Sequence, residues 1–189
     1  MLSVYGSPAI KGIIYLAPVI NHWPGQDVRQ KKIFFSLPAS EVIYYVKVIG
    51  GGSIEPIIGP LLTPSDATTS FDFASRSIEA FFLKPDDVDI LTKTSWVGAY
   101  VLTPPFVIVN HFNRLVNSDF YKNDGVKDIP VLYIHGKDDM CLRYEPILEY
   151  VQGIYNHVKV CIVEGSGHAV FYEKPDEVRT AILDFVNTQ

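Results

Sequence analysis

Two acids and a histidine follow two apolar stretches near the C-terminus. Residues 129–136 run into Asp138 and Asp139, and residues 158–164 run into His168. A carboxylate that is hydrogen-bonded to one ring nitrogen of a histidine fixes the tautomer, so the other nitrogen can take up a proton. A lone acid after a strand more often serves as a turn or capping residue. An acid and a histidine that each follow one of two neighbouring apolar stretches together predict acid–base chemistry.

The elements that must position these groups can be predicted from the same segment. Both stretches are apolar and rich in β-branched residues, which predicts two parallel strands that are each buried on both faces. Residues 144–155 between them carry apolar side chains at helical spacing. In a strand, helix, strand unit both strand ends open on the same edge of the sheet. Chemistry in open α/β sheets lies at that edge.

The order of these features resembles the C-terminal half of the α/β-hydrolase-fold enzymes. The resemblance covers residues 129–186 and includes His-Gly-x-x-Asp, a helix, a second strand, Gly-His and Glu-x-Pro before a last amphipathic helix. It implies a partial α/β-hydrolase fold of parallel strands with an inserted helical cap. By position, it implies that Asp139 is the catalytic acid and His168 the catalytic base, while His135 supports the acid-bearing loop. Asp138 lies one residue too early.

Residues 10–18 resemble the strand that follows the nucleophile helix in this family, where an apolar strand often ends in Ala-Pro. This alignment predicts a truncated fold, in which the chain begins after the first five strands, the oxyanion loop and the nucleophile turn.

The nucleophile turn of this family requires small residues two places before and two places after the attacking serine. We tested five serines against this pattern, and none is flanked by small residues on both sides: Ser3, Ser7, Ser53, Ser95 and Ser166. The sequence therefore predicts an incomplete catalytic triad that lacks a recognisable nucleophile elbow.

The resemblance divides the chain into three parts. Residues 1–20 would contribute a strand to the hydrolase core, residues 21–128 would form a helical cap or lid, and residues 129–189 would carry the acid and the base. The cap is rich in aromatic residues, which suit either the wall of an apolar substrate pocket or, more simply, packing on the core. Within the cap, helices are predicted at residues 38–49, 70–83, 86–92 and 105–116.

Composition excludes several classes of function. The 189 residues are 48% hydrophobic, which fits one globular domain, and the net charge of −5 gives no basic footprint for nucleic acid. No apolar run is long enough to span a membrane, and no targeting signal is visible, which favours the cytoplasm. The two cysteines, Cys141 and Cys161, are expected to be reduced thiols, and the spacing of ligand residues predicts neither a metal nor a cofactor.

Two classes of function remain open. The chain is predicted to derive from a serine hydrolase that acts on esters or related acyl compounds, with a small apolar ester-like substrate. The alternatives are a catalytically inactive truncated remnant or binding module, or part of an enzyme with an Asp nucleophile, such as an epoxide hydrolase or dehalogenase. If the preceding strands are missing, residues 10–17 expose an unpaired strand edge, which predicts self-association.

Overall fold

The computed structural model describes residues 10–18, 67–103 and 124–188. The described elements are three strands and six helices, with a 3-10 turn at Pro85–Asp87. In chain order they are β1 (Ile13–Leu16), α1 (Ala67–Ala80), α2 (Ile90–Leu102), α3 (Asp124–Lys127), β2 (Val131–Gly136), α4 (Tyr144–Ile154), β3 (Val158–Val163), α5 (Val170–Glu173) and α6 (Pro175–Val186).

The three strands form a parallel sheet in the order β1-β2-β3. Ile13 pairs with Val131 at one end of the β1–β2 ladder, and Gly136 pairs with Val163 at the end of the β2–β3 ladder. Both predicted C-terminal strands therefore end at the same edge, as the strand, helix, strand reading requires. The predicted fold class, a parallel sheet with covering helices, is confirmed.

Strand β2 lies in the middle of this sheet, and side chains on its two faces belong to different cores. Val131 and Tyr133 pack with Ile147 and Val151 of α4 in one cluster. Leu132 and Ile134 face the opposite side, where they pack against Val178, Ala181 and Phe185 of α6. This alternation follows from the two-residue period of a strand. Helices on both faces leave β2 buried along its whole length.

Strand β3 is less buried than the sequence predicted. Lys159 and Val160 are exposed, and within the described residues β3 pairs with β2 on one side only. An apolar run is equally compatible with a central strand and an edge strand, because periodicity does not report the number of neighbouring strands. The expectation that β3 is buried on both faces was wrong for this reason.

Helix α1 ends earlier than predicted. The predicted helix at residues 70–83 is observed as Ala67–Ala80. The hydrogen bonds after Ala80 join residues three apart instead of four, as in a 3-10 helix. The amide of Phe81 donates to Ile78 O and the amide of Phe82 donates to Glu79 O. Phe81, Phe82 and Leu83 therefore lie in the connection between α1 and α2.

Helix α2 is longer than the short helix that was predicted at residues 86–92. It begins at Ile90, after Asp89 caps it by accepting a hydrogen bond from the Thr92 amide at 2.9 Å, and it continues to Leu102. Its apolar residues are spread around the helix, so the sequence carries little helical periodicity. The helices predicted at residues 38–49 and 105–116 lie outside the described residues. Among the described helices, none combines the length and the apolar character needed to cross a membrane.

Candidate active site

The loops after β2 and β3 are held against each other by backbone contacts. The Lys137 amide donates to Val163 O at 2.8 Å and the Asp138 amide donates to Ser166 O at 3.0 Å. A Cβ atom added at Gly136 would lie 2.1 Å from Gly167 O, so only glycine allows this approach. The sheet therefore delivers the acid-bearing loop and the histidine-bearing loop to one place.

Asp139 is buried and accepts hydrogen bonds at both carboxylate oxygens. Its Oδ1 accepts from the amides of Cys141 at 2.7 Å and Leu142 at 3.0 Å. Its Oδ2 lies 2.8 Å from His135 Nε2 and 2.8 Å from His168 Nδ1. The neighbouring Asp138 is exposed, and its Oδ2 accepts from the Gly165 amide at 3.0 Å, which joins the two loops.

The hydrogen bonds around Asp139 decide its charge. Burial by itself would raise the pKa of Asp139, but the hydrogen bonds from His135 and His168 and the backbone donor at Leu142 outweigh it and hold the pKa well below its usual range. An ionised carboxylate can only accept hydrogen bonds. His135 therefore carries a proton on Nε2, and His168 carries one on Nδ1.

His168 is placed so that one ring nitrogen is held and the other is available. Its side chain is 18% exposed, and among the described residues its Nε2 has no hydrogen-bond partner. The Phe81 ring lies 5.0 Å from the imidazole, between ring centroids. With Nδ1–H bonded to Asp139, Nε2 carries a lone pair that can take up a proton. The arrangement can therefore serve general base chemistry.

His135 and Tyr133 extend the network behind Asp139. His135 was predicted to support the acid-bearing loop, and it is fully buried with its Nε2 bonded directly to Asp139. The Tyr133 hydroxyl lies 3.1 Å from His135 Nδ1 and 3.3 Å from Tyr144 O. Burial is the larger cause and the negative charge of Asp139 the smaller one that raise the pKa of the Tyr133 hydroxyl. The hydroxyl therefore stays protonated. Tyr133 was missed, although the two-residue period of β2 places it on the same face as His135.

Within the described residues, Ser166 and Cys141 lie near Asp139 and His168, and neither supplies an activated nucleophile. Ser166 is fully buried, and its Oγ lies 3.3 Å from Glu173 Oε2. Burial and the charge of Asp139 raise the pKa of the Cys141 thiol to about 12, so it remains protonated. Ser95 lies in α2. Ser3, Ser7 and Ser53 lie outside the described residues.

A groove of about 470 Å³ opens between α1 and α2, lined mainly by apolar residues that include Phe71, Ile78 and Val97. Neither Asp139 nor His168 lines it, so it is not part of the candidate site. Within residues 10–18, 67–103 and 124–188, no group of three His, Cys, Asp or Glu side chains could hold a metal ion.

The parallel sheet with helices on both faces is the arrangement that the resemblance to α/β-hydrolase-fold enzymes predicted. No protein-family model matches the sequence. The sequence is 29% identical over 72 residues to the Mycoplasma genitalium protein named "Putative esterase/lipase 1". The alignment covers 38% of this chain and 25% of that protein.

Solved structures give the same fold. The esterase RhEst1 from Rhodococcus sp. ECU1013 superposes with a TM-score of 0.71 at 19% identity, covering 98% of this chain and 59% of that one. The bromoperoxidase from Bacillus anthracis superposes with a TM-score of 0.68 at 18% identity, covering 98% of this chain and 61% of that one. The chain thus spans about three fifths of these two structures. At this identity the likeness establishes the fold alone.

Proposed function

We propose that the chain derives from a serine hydrolase of ester or related acyl substrates, in which His168 is the base and Asp139 the orienting acid. One observation carries the proposal: Asp139 Oδ2 and His168 Nδ1 lie 2.8 Å apart where two neighbouring parallel strands end. The esterase names of similar proteins support the substrate class, although the bromoperoxidase shares the fold.

In the proposed reaction His168 Nε2 takes the proton of a serine hydroxyl as the oxygen attacks the acyl carbon. The same nitrogen then gives the proton to the leaving alcohol as the acyl–oxygen bond breaks, and water later repeats the cycle to release the acid. Asp139 keeps its charge throughout and stabilises the imidazolium. We further propose that the nucleophile is missing from this chain, since none of the serines tested has the flanking residues of the elbow.

We also propose the division into core and cap that the resemblance implied, with residues 21–128 as the cap. Packing of the described part supports it. Ile78, Phe82 and Val88 form a separate cluster with Ala169, the residue that follows His168. An apolar substrate held under such a cap would meet the Phe81 ring next to the base.

The reactivity of His168 toward an alkylating reagent tests the proposed base, and this test does not require a nucleophile in the chain. Phenacyl bromide is a small apolar haloketone, and an imidazole nitrogen displaces its bromide to form a carbon–nitrogen bond. We expect peptide mapping to show faster alkylation at His168 than at His157. His157 is exposed and directly precedes β3. Equal or slower reaction at His168 in the folded protein would contradict the proposed base.

A fluorophosphonate probe, which reacts with activated serines, tests whether this chain contains a nucleophile. We expect no labelling of the folded chain, because the nucleophile is missing. Labelling that is lost in His168→Ala and kept in His157→Ala would show that a nucleophile is present and that the chain is an active serine hydrolase. If His168 is not preferentially alkylated and no serine is labelled, the non-catalytic binding module is favoured. Preferential alkylation of His168 without labelling agrees both with the proposal and with a parent enzyme that uses an Asp nucleophile.

A further inference from the structure

Glu173 binds two separate parts of the chain with one carboxylate. Its Oε2 accepts from the Gly167 amide at 2.6 Å and from Ser166 Oγ at 3.3 Å, both in the loop that carries His168. Its Oε1 accepts from the Leu83 amide at 2.7 Å, in the connection between α1 and α2. Hydrogen bonds to a charged acceptor are the stronger kind.

The base loop, residues 164–169, and the connection, residues 81–83, also meet directly. The Ala169 amide donates to Phe81 O at 2.7 Å. A Cβ atom added at Gly167 would lie 2.8 Å from the Leu83 amide nitrogen, so the two backbones are in close contact. His168 lies between these two contacts in sequence, and its ring packs on Phe81.

The sequence suggests a simpler role for Glu173, as an acid that complements the dipole of the last helix. It lies two residues before Pro175, where α6 begins. However, the described donors to its carboxylate are at Leu83, Ser166 and Gly167, and none of these belongs to α6. The helix dipole alone does not account for these three contacts.

We propose that Glu173 is a positioning residue for His168, which fixes the base loop to residues 81–83. The inference rests on the proposed function for the role of His168 as a base. Asp139 holds the imidazole through a single hydrogen bond at Nδ1. The direction of the ring therefore also depends on the backbone of Gly167 and Ala169, and Glu173 anchors the first of these. Residues 81–83, which belong to the proposed cap, would then help to hold the His168 ring in place.

Proton NMR of the uniformly 15N-labelled protein, which resolves both the histidine ring protons and the backbone amides, tests the inference. The variant is Glu173→Gln, which keeps the side-chain length but can accept at only one of its two terminal atoms. We expect the His168 Nδ1–H proton to exchange with water about tenfold faster or more than in the wild type, and the Gly167 and Leu83 amides to follow it. The amide of Ile134 in β2 should keep its protection.

Glu177→Gln is the matched control, because Glu177 is exposed in the first turn of α6. This variant should leave the His168 proton unchanged. Unchanged exchange of that proton in Glu173→Gln would overturn the inference, as would a wild type without a protected His168 Nδ1–H. A loss of protection at Ile134 together with His168 would mean general destabilisation, and would also count against a positioning role.

The test also separates this inference from the proposed function. If Glu173→Gln releases the His168 proton but phenacyl bromide does not favour His168 in the wild type, Glu173 positions a histidine that is not a base. If His168 is favoured in the wild type and Glu173→Gln leaves the proton protected, the base stands and the positioning role of Glu173 falls.

Discussion

Strand β2 and helix α2 are both strongly apolar, yet their burial differs completely. Every residue of β2 is buried, whereas none of the 13 residues of α2 is. On α2, Ile90 is 69% exposed, Leu91 75% and Leu102 83%. Strand β2 has a hydrogen-bonded neighbour on each side and a helix on each face, whereas the described contacts of α2 lie mainly with α1. Apolar composition therefore predicts an element's character, and its neighbours determine its burial.

The largest effect that we expect from this contrast is on the free energy of unfolding. Leu132→Ala removes a fully buried side chain between β2 and α6, and should cost about 2–5 kcal/mol because the cavity cannot fully collapse. Leu102→Ala, in exposed α2, should change stability by less than about 0.5 kcal/mol. Urea unfolding of both variants measures this. Similar losses would show that α2 is buried in solution.

Asp139 and Asp138 form a second, smaller contrast between buried and exposed positions. Because the folded pKa of Asp139 is lowered, its stabilisation is complete above the unfolded pKa of about 3.9 and is lost as the pH falls toward the folded value. Between pH 5 and pH 3 the wild type should lose about 1 kcal/mol more than Asp139→Asn does.

Asp138→Asn is the control for this pH dependence, since the exposed carboxylate of Asp138 accepts a hydrogen bond only from the Gly165 amide among the described residues. Its acid profile should match that of the wild type. If Asp139→Asn also follows the wild-type profile, the ionised carboxylate does not stabilise the fold in the way that its hydrogen bonds indicate.

The smallest expected effect concerns the sheet edge. Within the described residues β1 pairs with β2 on one side only, and Ile14 is 39% exposed. We expect a concentration-dependent increase in apparent mass in size-exclusion chromatography, which Ile14→Lys should reduce because a charge discourages pairing of strand edges. Leu183→Lys, on exposed α6, should have no such effect. A monomer at all concentrations would contradict self-association.

The sequence predicted the core around β2 better than it predicted α1 and α2. The order of strand, His-Gly-x-x-Asp, helix, strand and Gly-His fixes local geometry, so Asp139 and His168 could be expected at one edge. Helix α2 lacks an apolar stripe, and the connection that follows α1 makes a contact that is remote in sequence, from Leu83 to Glu173. Single-sequence periodicity carries no information about such contacts. Tyr133 could have been found from strand alternation, but Glu173 could not.

The alkylation rate of His168 in two neighbouring variants tests the central claim, that Asp139 holds His168 as a base. Asp139→Asn replaces a charged acceptor by an amide next to Nδ1, whereas Asp138→Asn alters an exposed acid one residue away. The account predicts that phenacyl bromide modifies His168 at least about tenfold more slowly in Asp139→Asn, and at the wild-type rate in Asp138→Asn. Equal rates in the two folded variants would contradict it.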